Sequence, residues 1–377
     1  MPRMRRLSPL PVALRPLAGT PRSRSLLVAA LLLALLVGLA GPGPARAAKM
    51  AKGLQDVRMV YSEDADLRGA FWGAARAAKV TQVRVLVNWD GEAREIDPGF
   101  AFRLRRAAEE GRNAGARLLI GIYAPINRAR SKPITITSRL IDDYAAFAGS
   151  IARVMRGLPV AGYITWNEAN FRSMWPLNQP RRWAKLSNAG YRAYKAEAPS
   201  VPVLVGELAP NARTSNATEP GAFLRQALCV DRRYRSLSRS RSCRTRLLAD
   251  GVALHTHDFT RAPTRTRSNR DSWTMGNLRY AKAELRALAR AKRLSSAAAR
   301  NVHITEFAYR TAGSQRTPIA RAARYLRQAW AFARREGVRS FTWYQLRDPG
   351  RGHEWQSGLL TNAGRSRATW RTFRGLR

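Results

Sequence analysis

Eight short runs rich in valine, isoleucine, leucine and aromatics recur along this chain, and each gives way to a segment with helical periodicity. The runs are Leu54 to Tyr61, Gln82 to Trp89, Arg117 to Ala124, Val160 to Thr165, Pro202 to Glu207, Gly251 to His257, Asn301 to Thr305 and Val338 to Tyr344. Near-continuous apolar runs of this length fit strands buried on both faces, as in a parallel sheet. Between them, Leu140, Tyr144, Phe147, Ile151 and Val154 lay one apolar stripe along a helix. Thr317 and Pro318 read as an N-cap and first-turn pair, and Gly337 ends the same helix. Further helices are expected at 66–78, 100–114, 181–197, 219–228, 273–293 and 366–375. Strand–helix alternation without a linker implies right-handed βαβ units. An open doubly wound sheet usually carries a glycine-rich turn after its first strand, but here that turn reads Ser62-Glu63-Asp64-Ala65. Eight repeats favour closure, so the fold class predicted is α/β, a (β/α)8 TIM barrel forming a single domain over residues 48–377.

Residues 1–47 read as an address. Arginines precede an apolar run from Leu26 to Ala40, and Ala45-Arg46-Ala47 suits signal peptidase, with cleavage before Ala48. The run is short of the roughly 20 residues needed to span a bilayer; an uncleaved N-terminal anchor is the rival reading. Export makes the closely spaced Cys229 and Cys243 a disulfide across a polar surface loop. The formal charge of +42 comes mainly from arginines scattered over the whole chain. A biased genome composition accounts for that, as does attraction to an anionic cell wall or acidic glycan. No nucleic-acid motif accompanies it.

In such a barrel, chemistry sits at the C-terminal ends of the strands. The residues there are Arg84, Asn88 and Trp89 from the second run, Tyr123 from the third, and Asn167 and Glu168 just beyond the fourth. Glu207 follows from the fifth, His255, His257 and Asp258 from the sixth, Glu306 from the seventh, and Trp343, Tyr344 and Gln345 from the eighth. Carboxylates for chemistry, amides for hydroxyls and aromatics for stacking are what a sugar site requires. Double displacement at a sugar needs one ionised carboxylate to attack C1 and one protonated carboxyl to donate to the leaving oxygen. Glu306 is the expected nucleophile, kept charged by a cation such as Arg84, and Glu168 the expected acid/base, kept protonated by the charge of Glu306. Strand pleating sends neighbours to opposite faces, so Asn167 and Glu168 both reach the lumen only if the strand is irregular there. His255 and His257 share a face, but Asp258 alternates away from them, so no metal is expected. Glu207 reads as a structural or rim acid.

Trp166-Asn167-Glu168-Ala169-Asn170 resembles the W-N-E-P-N signature of the retaining glycoside hydrolases of clan A, and Ile304-Thr305-Glu306-Phe307 resembles that clan's nucleophile strand. The resemblance covers essentially residues 48–377. It implies that Arg84 stands near the nucleophile, that Asn167 binds the 2-hydroxyl of the sugar, and that His257 is the histidine of a His-x-Tyr pattern on strand six. It also implies that Trp343 is a sugar platform on strand eight. Ala169 replaces the usual proline, a turn-shaping position. Phe259 stands where the clan tyrosine would hydrogen-bond the nucleophile, and Tyr309 or Tyr344 is then left to supply a hydroxyl. Trp89 and Tyr309 complete the expected substrate-binding set. The activity implied is retaining hydrolysis of O-glycosyl bonds in β-linked oligo- or polysaccharides by a secreted or cell-surface monomer without a cofactor. The rival is a barrel that binds carbohydrate without cleaving it.

Overall fold

Eight parallel strands pair in chain order, and the last closes onto the first. They are β1 (Ala51–Gln55), β2 (Gln82–Asn88), β3 (Arg117–Tyr123), β4 (Val160–Ile164), β5 (Val203–Leu208), β6 (Gly251–His255), β7 (Val302–Phe307) and β8 (Ser340–Tyr344). This computed structural model describes residues 49–127, 134–212, 215–240, 243–350 and 355–377; the expected leader, residues 1–47, lies outside the described residues. Each strand is followed by a helix: α1 (Ala65–Ala77), α2 (Pro98–Asn113), α3 (Ser138–Val154), α4 (Pro180–Glu197), α5 (Pro220–Ala227), α6 (Leu278–Arg290), α7 (Ile319–Arg335) and α8 (Ala368–Gly375). The fold is an α/β TIM barrel.

Pleating divides the strand residues between two environments. On β3, Leu118, Ile120 and Ile122 join the main core, shared with the apolar stripes of the helices. Leu119 points the other way and meets Ile164, Leu204 and Ala253 in a small separate cluster. The same alternation on β2 commits Val83, Val85 and Val87 to the main core, which leaves Arg84 on the lumen side. In α3, Leu140, Tyr144, Phe147 and Ile151 are buried, and the Thr137 hydroxyl accepts from Leu140 N at 3.1 Å to start the helix. The acidic turn after β1 has a helical purpose too: Asp64 Oδ1 accepts from Asp66 N and Leu67 N as the N-cap of α1. At the opposite end of the barrel from the strand tips, Lys52 Nζ donates to the carbonyls of Ala78 and Phe373, tying the C-terminal ends of α1 and α8 to β1.

Three elements depart from expectation. The first strand is Ala51–Gln55, and Val57–Val60 is a single helical turn; a short apolar run does not by itself distinguish the two. Thr317 does not cap α7: Pro318 is the flanking residue, and the Thr317 hydroxyl donates to Phe259 O at 2.7 Å. The helix expected from residue 273 begins at Leu278, after a 3-10 turn at Met275–Asn277. Cys229 and Cys243 form a disulfide with Cα atoms 5.0 Å apart. Among the described residues no helix is long and apolar enough to cross a membrane.

Candidate active site

Beyond Ile164, the last residue of β4, the chain leaves the sheet with Trp166 packed inside a cage of Trp89, Tyr144 and Trp175. That anchor fixes the next two residues. Asn167 N donates to Ile122 O on β3 and Glu168 N to Glu207 O on β5, while Glu168 takes a left-handed φ of 49°. This is the irregularity that lets successive side chains, Asn167 and Glu168, both face the lumen. Asn170 latches the loop to β5: its amide donates to Ala209 O and Thr218 O and accepts from Ala209 N.

A second irregularity lies on β5. Gly206 (φ 117°) and Glu207 (φ 49°) form a bulge against β6 that turns Glu207 inward. Gly121 opposite leaves room for the carboxylate, since a Cβ there would stand 3.5 Å from Glu207 Oε2 and 3.2 Å from Leu86. Glu207 grips Arg84 with a two-pronged contact, Nε to Oε1 and Nη2 to Oε2, both at 2.7 Å. The three remaining guanidinium protons go to Gln55 Oε1 at 2.6 Å, Asn167 Oδ1 at 2.8 Å and Glu306 Oε1 at 2.6 Å. All five donors of a fully buried arginine are thus satisfied. The second oxygen of Glu306 faces β6, 3.3 Å from His257 Nε2 and 3.7 Å from His255 Nδ1. His255 Nδ1 is also 2.9 Å from Glu168 Oε1. The nearest oxygens of Glu168 and Glu306 are therefore no farther apart than these two distances laid end to end, and any bend at the nitrogen shortens the gap.

The charges interlock. Burial pushes the Glu306 carboxyl up, but His255 and Arg84 outweigh it and hold Glu306 well below the usual carboxylate range. Glu207 is likewise pushed up by burial and brought below its ordinary value by Arg84 and His255. Burial lowers His255, yet Glu306, Glu168 and Glu207 around it raise it to about 10, so it is an imidazolium at neutral pH.

Over this floor opens a cleft of about 380 Å³. Val57, Tyr61, Leu86 and Phe100 make one apolar wall; Asn88, Tyr123, Met174, Tyr344 and Trp355 complete the rim. Of the expected site residues, Arg84, Asn167, Glu168, His257 and Glu306 come together here. Three do not. Trp89 is buried in the tryptophan cage with Nε1 donating to Ala93 O. Trp343 lies behind β8, its Nε1 donating to Ser357 O at 3.0 Å. Tyr309 packs on Phe307 and gives its hydroxyl to Arg261 O. Each follows the wrong face of its strand or loop, and the aromatics among the cleft's lining residues are Tyr61, Phe100, Tyr123, Tyr344 and Trp355. Phe259 stacks on His257, and it is His257 that contacts Glu306. The pattern on strand six is thus displaced by two residues from that expected, with His255 against Glu168 and His257 against Glu306. A larger hollow of about 620 Å³ lies between α5 and α6 around the Arg225–Asp271–Glu284 ion cluster and includes none of the strand-tip residues.

No protein-family model and no curated protein matches the chain. Solved structures do, and the barrel is similar to those of clan A glycoside hydrolases. An exo-β-1,4-mannosidase from Opitutaceae bacterium strain TAV5 aligns with a TM-score of 0.55 at 15% identity, over 86% of this chain and 58% of its own. A family 39 glycoside hydrolase from Bacteroides cellulosilyticus WH2 aligns at 0.59 and 17%, over 86% and 62%. A GH5_18 variant from Streptomyces cattleya, in complex with Manβ1-4GlcNAc, aligns at 0.58 and 14%, over 86% and 79%. The chain spans less than two thirds of the length of the first two. At such identities the likeness is one of fold.

Proposed function

We propose that this chain is a retaining glycoside hydrolase acting on β-linked glycans. The observation that carries the reading is a pair of glutamates on opposite strand tips, Glu168 and Glu306, flanking one imidazole nitrogen at the floor of a cleft. Glu306 attacks C1 of the sugar as Glu168 gives its proton to the departing glycosidic oxygen, leaving a glycosyl ester on Glu306. Glu168, now a carboxylate, then takes a proton from water, whose oxygen displaces Glu306 from C1. Arg84 and the two histidines hold the Glu306 carboxylate ionised and oriented before attack. Arg84 occupies the amide oxygen of Asn167, which leaves the amide NH2 for a sugar hydroxyl. Tyr344 and Trp355 supply apolar faces for the ring. Cleavage of residues 1–47 and release outside the cytoplasm belong to the same proposal.

The alternative is a barrel that binds carbohydrate without cleaving it; the contact of His257 with Glu306 supports the hydrolase reading. The test is hydrolysis of a panel of aryl β-glycosides, including mannosides, and of β-linked oligosaccharides, with product configuration read by NMR. Retained configuration is expected, and Glu306→Gln should lower kcat by at least about a thousandfold. Turnover that survives Glu306→Gln, or an inverted product, would sink the assignment.

A further inference from the structure

We propose that the floor of the cleft is also a binding site for one borderline divalent cation of the zinc type. The inference needs only the donor set and does not rest on the hydrolase reading. His255, His257 and Glu306 each offer a ligand atom, and these atoms all lie within 4.8 Å of one another. A tetrahedral zinc ion with bonds of about 2.0–2.1 Å wants its ligand atoms about 3.3 Å apart. Here His257 Nε2 lies 3.3 Å and His255 Nδ1 3.7 Å from Glu306 Oε2, so each imidazole already stands near that spacing from the carboxylate oxygen. Glu168 Oε1, 2.9 Å from the same His255 nitrogen, stands ready as the fourth donor.

Glu306 has an oxygen to spare, and His255 must give up its proton to serve. Arg84 occupies only Oε1 of Glu306 and leaves Oε2 facing the histidines. On the far side of the His255 ring, Nε2 is 3.6 Å from Glu207 Oε1, beyond hydrogen-bond reach but close enough for the carboxylate's charge to act on the ring. Charge points the same way. Glu168, Glu207 and Glu306 face the single permanent cation Arg84, and a dication on two neutral imidazoles brings the cluster to neutrality; the proton carried by His255 leaves to solvent as the ion enters. Two imidazoles with carboxylate oxygen select zinc, copper or nickel over magnesium and calcium, which take six or more oxygens.

The test is calorimetric titration of the chelator-treated full chain with ZnCl2, with MgCl2 as counter-probe, beside visible absorption on adding CoCl2. One zinc per chain is expected, no magnesium heat, and an intense tetrahedral cobalt band. Zinc binding should be lost in His257→Gln and in Glu306→Gln, with folding of each checked by circular dichroism. Absence of binding in the unaltered protein, or equal binding in both folded variants, overturns the proposal. Should a variant fail to fold, the cobalt spectrum of the unaltered protein decides, a weak octahedral spectrum counting against. Because the readout is binding, the outcome stands whether or not glycoside turnover is found.

Discussion

His255 is the residue on which the site's electrostatics turn. It sits fully buried among three carboxylates, and Glu306, Glu168 and Glu207 outweigh the cost of burying it as a cation. Its value in the folded protein, about 10, is above the ordinary 6.5. The stabilisation it brings is therefore fully present below about pH 6.5 and is lost as pH rises through about 10, because over that window the folded state holds a proton that the unfolded state has released. In metal-free protein, urea midpoints should fall between pH 7 and 10 more steeply than in His255→Gln, and ring-nitrogen NMR shifts should remain those of an imidazolium at neutral pH. A ring that titrates near its ordinary value would contradict the cluster described above. Glu207 sets this up from below. Its two-pronged grip leaves Arg84 one orientation, the one in which Nη1 reaches Glu306.

At the scale of elements, the site depends on irregular strand ends. β4 exits through Glu168 in a left-handed conformation, and β5 bulges at Gly206 and Glu207. Glycine is required at 206: besides φ 117°, a Cβ there would stand 2.5 Å from Ala253 O on β6. Gly206→Ala should cost at least about 1–3 kcal/mol from backbone conformation alone, with the clash adding to it. Any folded fraction should lose activity more than stability, since the bulge aims Glu207 at Arg84. Denaturant midpoints with kcat measured in parallel check this; a variant of native stability and activity would show that the bulge is dispensable. The strand ends were also the least legible part of the sequence. Trp166, Asn167 and Glu168 were readable because they follow the apolar run of β4 directly. Trp89, Trp343 and Tyr309 were not, because a side chain's face at a strand end depends on register with neighbours far away in sequence.

Over the whole molecule, the cleft and the surface differ in charge. The chain carries a formal +42, whereas among the described residues the cleft is lined by the carboxyl groups of Glu168 and Glu306 and the imidazole of His257, with no arginine or lysine; Arg84 lies beneath, with every donor occupied. On the proposed function, the basic surface would hold polyanions while the cleft takes neutral rings. Retention on an acidic polysaccharide should collapse between low salt and about 1 M, where the screening length is near 3 Å, whereas turnover of a neutral aryl glycoside should change little. Turnover that falls with salt in step with retention would place the basic surface within substrate binding.

The eight-fold alternation of apolar runs and helical stripes was enough to specify a closed parallel barrel, because periods of 2 and 3.6 are local properties of the chain. Placement at strand tips put Glu168 and Glu306 among the candidate acids together with Glu207 and Asp258. Only the tertiary structure decided which tip residues face one another. It put His257 rather than Phe259 against Glu306, made Glu207 the partner of Arg84, and turned Trp89, Trp343 and Tyr309 away from the cleft. The reason is geometric: one bulged residue reverses the face of everything that follows it in a strand, and bulges form where two strands distant in sequence meet.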